Sequence, residues 1–120
     1  MSRLKIRRDP LDKLFSDYVR AKAGWKCERC GSMPDRRGLH CHHFERRRKL
    51  STRFDEMGCS SLCLGCHQYL GENREEDKAF LINKIGQREF DMLEGRARIT
   101  QKIDRDAIKL YLEEQIRKLK

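Results

Sequence analysis

His40-Cys41-His42-His43-Phe44 and, further on, Leu62-Cys63-Leu64-Gly65-Cys66-His67 frame the stretch whose reading decides how this chain is built. Cys27-Glu28-Arg29-Cys30-Gly31 lies just upstream. A Cys-x-x-Cys turn brings two thiolates to one tetrahedral ion, and two such turns complete a four-sulfur zinc site. Cys27, Cys30, Cys63 and Cys66 meet that requirement, with Gly31 and Gly65 where a tight turn favours glycine. Residues 31–62 separate the knuckles, a span that is long for a simple zinc ribbon and leaves room for a functional insert. Four thiolates fill the coordination sphere, so the expected zinc is structural and any chemistry has to come from the insert. Cys41 and Cys59 lack the pairing and read as small core residues.

The composition agrees with a metal-braced domain. At 120 residues the chain is expected to form one domain, with a helix over residues 9–24, a zinc core over 25–72 and a helical extension over 73–120. Hydrophobic residues make up 38% and charged ones 39%, so apolar burial leaves stability thin and a structural metal is one way to close the gap. Lys plus Arg outnumber the acids 28 to 19, a net charge of +9. Such a surplus favours a polyanion, most often nucleic acid; the bland alternative is a solvated basic surface. No apolar run approaches the roughly 20 residues that span a bilayer. Residues 1–8 are basic without the apolar core of a signal peptide. The expectation is a cytoplasmic protein with no membrane partner, in a reducing compartment where paired cysteines point to metal.

The fold class this predicts is α+β. Asp9 is an N-cap with Pro10 at the first helical position, and Leu11, Leu14, Phe15, Tyr18 and Val19 recur on one helical face up to Gly24. Trp25 is expected beside the first knuckle. Residues 39–44 suit a short strand, residues 54–58 a turn, and a second extended piece leads into Cys63. Asn73 is the expected N-cap of a helix ending at Gly86. Further helices are predicted over residues 87–97 and 103–119, the last with Ile108, Leu112, Ile116 and Leu119 on one side.

All four histidines of the chain lie in residues 40–67. One imidazole near neutral pKa can deprotonate water and another can bind a divalent ion, a combination that suggests metal-assisted hydrolysis of a phosphate ester. His40 reads instead as a surface residue or an extra zinc ligand. Neighbours on a strand point to opposite faces, so His42 and His43 share a site only if a bend or bulge allows it. Arg46, Arg47, Arg48, Lys49 and Arg53 follow directly, and Arg offers bidentate hydrogen bonds to phosphate oxygens. They are the candidate DNA-backbone contacts, with a solvated charge run as the alternative.

A Cys-x-x-Cys knuckle, a histidine ending a first short strand, and Leu62-Cys63-Leu64-Gly65-Cys66-His67 resemble the HNH endonucleases. With Ser51-Thr52-Arg53-Phe54-Asp55 added, residues 9–93 are similar to a narrower group of phage HNH proteins, akin to the NinG/Rap recombination endonucleases that process branched DNA. The resemblance implies a small ββα-metal core with a structural four-cysteine zinc, flanked by N-terminal and C-terminal helices. It implies metal-dependent hydrolysis of phosphodiester bonds in duplex or branched DNA, in a bacterial or phage-infected cell. His43 takes the place of the general base. His67 matches a ligand of the catalytic divalent ion (Mg2+, Mn2+ or Zn2+), and His42 stands where many members carry a second ligand. Gly58 stands where the family has an asparagine that ties the loop together. Asn can adopt turn geometry, so Gly58→Asn is expected to fit. The rival readings are a zinc-stabilised DNA-binding module without catalysis and, more distantly, a protein-interaction module.

Overall fold

A computed structural model describes residues 9–35, 38–100 and 102–119. The basic run at residues 1–8 and part of the loop before the first strand lie outside them. Helix α1, Pro10–Lys22, starts as predicted: the Asp9 carboxylate accepts the Leu11 N–H at 2.9 Å. Leu11, Phe15, Tyr18 and Val19 are buried along its inner face. The chain leaves the helix through Gly24 and Trp25, both at positive φ (71° and 58°). That conformation is unusual for a bulky residue. A hydrogen bond from the Trp25 N–H to the Arg20 carbonyl (2.9 Å) holds the turn, and the Trp25 ring packs against the apolar cluster around Cys27 and Cys66.

Strands β1 (Leu39–His43) and β2 (Cys59–Cys63) form an antiparallel hairpin, in unbroken register from Leu39 opposite Cys63 to His43 opposite Cys59. The Phe44 N–H donates to the Gly58 carbonyl at 2.8 Å and closes the base of the connecting segment. That segment is more ordered than its charge predicts. It holds a single turn of helix, α2 (Leu50–Arg53), and a 3-10 turn, Glu56–Gly58, in which the Asp55 carboxylate accepts the Met57 N–H. Gly58 is buried there, and a Cβ on it would lie 3.1 and 3.2 Å from the two methyls of Leu93. A side chain at this position meets Leu93, which has to yield by a few tenths of an ångström, so the expected fit of Asn turns on packing against a fully buried leucine rather than on backbone conformation.

The two edges of the hairpin are treated differently. On β2, Glu28 of the first knuckle donates its N–H to the Ser61 carbonyl (2.8 Å) and accepts the Ser61 N–H on its carboxylate (2.6 Å). Lys84 covers the same edge, bonding Glu28, the Cys59 carbonyl and the Ser60 hydroxyl at 2.8–2.9 Å. Capping an edge in this way removes its unpaired groups from competition. The outer edge of β1 instead faces an open groove.

Helices α3 (Leu64–Glu72), α4 (Arg74–Ile85), α5 (Gln87–Ala97) and α6 (Arg105–Lys118) complete the chain. Asn73 sits at the α4 N-cap position, but its side chain donates back to the Tyr69 carbonyl (2.7 Å) and so closes α3 instead. Gly86, at φ 90°, separates α4 from α5 as predicted. Helix α6 packs on α1, burying Leu112, with Ile108 and Ile116 beside it; Leu119 remains exposed. Cys59 is buried in that core with Cys41 packed against it, which agrees with their reading as core residues. The result is a mixed α+β fold around a two-stranded sheet. None of its described helices is long and apolar enough to cross a membrane.

Candidate metal centre and histidine groove

Cys27 and Cys30 lie on the turn after α1, Cys63 ends β2, and Cys66 is in the first turn of α3. Their four Sγ atoms fall within 4.8 Å of one another. The Cys30 and Cys63 sulfurs are 3.8 Å apart, about the edge of a tetrahedron with metal–sulfur bonds of about 2.3 Å. The first knuckle is set locally: the Gly31 N–H donates to the Cys27 carbonyl at 2.9 Å, with Gly31 at φ 78°. Burial pushes the Cys66 thiol up to about 12, against the pull of Arg29, whose guanidinium donates to its sulfur at 3.4 Å. The Ser32 hydroxyl, 3.2 Å from the exposed Cys30 sulfur, brings that thiol down to about 6. A thiol as reluctant to ionise as Cys66 becomes a thiolate when a cation binds beside it. This donor set fits a structural zinc held by all four sulfurs.

The histidines sit on both faces of β1. His40 and His42 share the face that α3 covers. The His67 ring, in the first turn of α3, stacks parallel on His40 (centroids 5.0 Å, interplanar angle 4°) and meets His42 edge-on at 5.1 Å. The His42 and His67 Nδ1 atoms are 2.9 Å apart. On its other side His42 Nε2 lies 2.9 Å from Asp77 Oδ2 of α4, and both residues are buried. Burial, then the proximity of His42 and His40, holds His67 below the usual imidazole pKa.

His43 points the other way, toward α1. Its Nε2–H donates to the Arg53 carbonyl at 3.0 Å, and its ring lies 5.9 Å from Phe15. The Cys41 and Cys59 sulfurs are within 4.8 Å of it. Burial lowers its pKa, outweighing the Arg53 and Cys41 carbonyls that favour the protonated ring. No bulge brings His43 round to His42. The four histidines nonetheless line one groove of about 890 Å³, because it takes in residues of both faces of β1 along the strand's open edge.

Arg46, Arg47 and Arg48 line the same groove. Arg47 pairs with Asp12 of α1 at 2.9 Å, and Lys49 pairs with Glu45 at 2.9 Å. Arg53 is turned inward: its Nε is 2.9 Å from Asp12 Oδ1, its terminal nitrogen also contacts Asp12, and Asp9 lies 3.9 Å away. Burial would raise the Asp12 carboxyl, but hydrogen bonds from Arg53 and Arg47 prevail and hold it below the usual range. Among the described residues the side chains of Arg46 and Arg48 make no ion pair and stand exposed.

The family model for NinG, described as the bacteriophage lambda NinG protein, matches residues 3–120. The chain belongs to the NinG family. No curated protein and no solved structure matches it. For this NinG chain, the sequence singled out the thiols, the histidines and the basic run from Arg46 to Arg53, but not the two carboxylates that contact them, Asp77 on His42 and Asp12 on Arg47 and Arg53. Asp77 follows Glu75 and Glu76, and together they resemble ordinary first-turn acids favoured by the helix dipole. The available signal was its spacing, since Asp77 lies four residues before Leu81 and shares the buried stripe of α4. Asp12 was hidden in the same way on the polar side of α1.

Proposed function

We propose that this member of the NinG family is a metal-dependent DNA endonuclease, hydrolysing phosphodiester bonds in phage DNA recombination or processing. In this reading β1, β2 and α3 are an HNH-type ββα-metal core braced by the structural zinc. The observation that carries it is the groove, where His43, the His42–His67 pair and Arg46–Arg48 face one space. His43 is the general base: its ring is anchored through Nε2–H on the Arg53 carbonyl, and it takes the proton from the attacking water. Nearby carbonyls then favour the imidazolium that forms. Arg46 and Arg48, free of carboxylates, hold the phosphate backbone. His42 and His67 would hold a divalent ion (Mg2+, Mn2+ or Zn2+), which when bound supplies positive charge to the phosphate and the leaving oxygen.

A zinc-stabilised module that binds DNA without cutting it is the second reading. It is favoured by the half-buried position of His43 against Phe15 and backbone carbonyls, and by Gly58 in place of a loop-tying side chain. Incubation of zinc-loaded protein with plasmid and a four-way junction, in Mg2+, Mn2+ or EDTA, separates the two. Ion-dependent cleavage that EDTA stops supports the nuclease. Salt-dependent binding with no cleavage in any ion makes the module the better account.

A further inference from the structure

We propose that Asp77 is the positioning residue of the His42–His67 pair, and that the pair so held takes a first-row transition ion in preference to Mg2+. The proposal rests on the pair being an ion seat, as in the reading above, and not on whether that seat cuts DNA. Asp77 is only 4% exposed and His42 only 6%. A carboxylate is buried at that depth only with a hydrogen-bonded partner. Among the described residues its side-chain partner is His42 Nε2, at 2.9 Å. An ionised carboxylate only accepts, so the ring proton of neutral His42 is on Nε2 and the lone pair is on Nδ1. The other neutral tautomer, with its proton on Nδ1, would point the Nε2 lone pair at the carboxylate and leave buried Asp77 without its donor.

That Nδ1 lone pair accepts the His67 Nδ1–H across 2.9 Å, and an ion held by both rings takes the place of this proton, which His67 then carries on Nε2. Two nitrogens at about 2.1 Å from one ion and at right angles lie about 3.0 Å apart, so the pair is already spaced as neighbouring ligands. His40, stacked parallel on His67, limits rotation of the second ring. A carboxylate behind a ligating histidine fixes its tautomer and raises its basicity. Imidazole donors suit the later first-row ions, whereas Mg2+ prefers oxygen and keeps its waters. Asp77 cannot itself be a ligand of the same ion without giving up His42, because it occupies the far nitrogen.

The test uses full-length zinc-loaded protein with 15N-labelled histidine. Imidazole 15N–1H spectra report the tautomer, and calorimetric titrations with Ni2+ and with Mg2+ report the seat. His42 is expected in the Nε2–H form, with Ni2+ bound at least about ten-fold more tightly than Mg2+. Asp77→Leu should weaken Ni2+ by about 10–100-fold with zinc content unchanged. Asp77→Asn, whose amide oxygen still accepts Nε2–H, should recover much of the loss. A wild-type His42 carrying its proton on Nδ1 overturns the proposal. So does absence of Ni2+ binding, Mg2+ binding as tight as Ni2+, or an Asp77→Leu protein with undiminished Ni2+ affinity. If Asp77→Leu does not fold, the wild-type spectrum and Asp77→Asn decide it alone. Loss of Ni2+ affinity on Asp77→Leu in a protein that cuts no DNA supports the seat and removes only the nuclease reading.

Discussion

Cys30 and Cys63 meet at 3.8 Å near the end of the hairpin where Leu39 pairs with Cys63, while His42 and His67 meet at 2.9 Å along the face that α3 covers. Both pairs bridge segments far apart in sequence, but they are supported differently. The thiols arrive two by two on turns whose geometry is fixed within a few residues, so docking one turn on the other completes the site. The histidines depend on the rest of the molecule: Asp77 comes from α4, the Arg53 carbonyl from α2, Phe15 and Asp12 from α1. A site made of local turns survives moderate damage elsewhere, whereas one made by tertiary docking reports it.

The largest effect belongs to the cysteines. Cys27→Ser or Cys66→Ser should remove stoichiometric zinc and the cooperative melting transition together, because apparent zinc binding of roughly 10–16 kcal/mol in small four-ligand domains is folding free energy. Metal analysis and thermal circular dichroism measure both. A zinc-free protein that melts like the parent would detach the fold from the cluster. Next is His43→Ala, which should reduce cleavage by about 10²–10⁴-fold while zinc content and DNA affinity persist. Cleavage within a few-fold of the parent would remove His43 from the chemistry and leave its ring as packing for Phe15.

Where the fold was legible, local physics carried it. Asp9-Pro10 and Gly86 mark helix ends through backbone constraints that act whatever the surroundings, and both stand where expected. The knuckle spacing belongs to the same class. Asn73 shows how such a signal is diverted: its position was right, but its side chain was taken by the preceding helix. The short helix Leu50–Arg53 was not legible, because Leu50 is the only aliphatic residue in a basic run and its support comes from Asp12 through Arg53. Likewise the histidines were visible as chemistry, but their meeting in one groove depends on β1 having an open edge, a property of strand order rather than of the local sequence.

Gly58 offers a test of intermediate size. Its Cβ position lies 3.1–3.2 Å from Leu93, which is fully buried among Phe44, Leu81 and Phe90. Gly58→Ala should therefore destabilise by about 1–3 kcal/mol through overpacking, and Gly58→Asn by at least as much. Since the Phe44 N–H donates to the Gly58 carbonyl, that strain should reach the groove before it reaches the thiols. Thermal melts with zinc analysis check both parts. An unchanged midpoint would show that Leu93 yields without cost.

The smallest effect separates the arginines. Each phosphate contact to duplex DNA contributes about −0.9 to the slope of log K against log salt. Replacing Arg46 and Arg48 together with Gln should make the slope shallower by up to about 1.8, equally on unrelated sequences, with no change in melting. Arg53→Gln should do the opposite, leaving the slope alone and lowering the melting temperature, because Asp12 loses its inner partner. The pH dependence supplies an internal check. Arg53 and Arg47 hold the Asp12 carboxyl below its unfolded value, so their stabilisation is present above that value, near 3.8, and is lost as pH falls through the folded one. The gap between parent and Arg53→Gln should thus be full at pH 7 and close in acid. A slope that drops for Arg53→Gln as much as for the double variant would mean that DNA phosphate displaces Asp12, and the inward bracket would then be a resting arrangement of the binding surface.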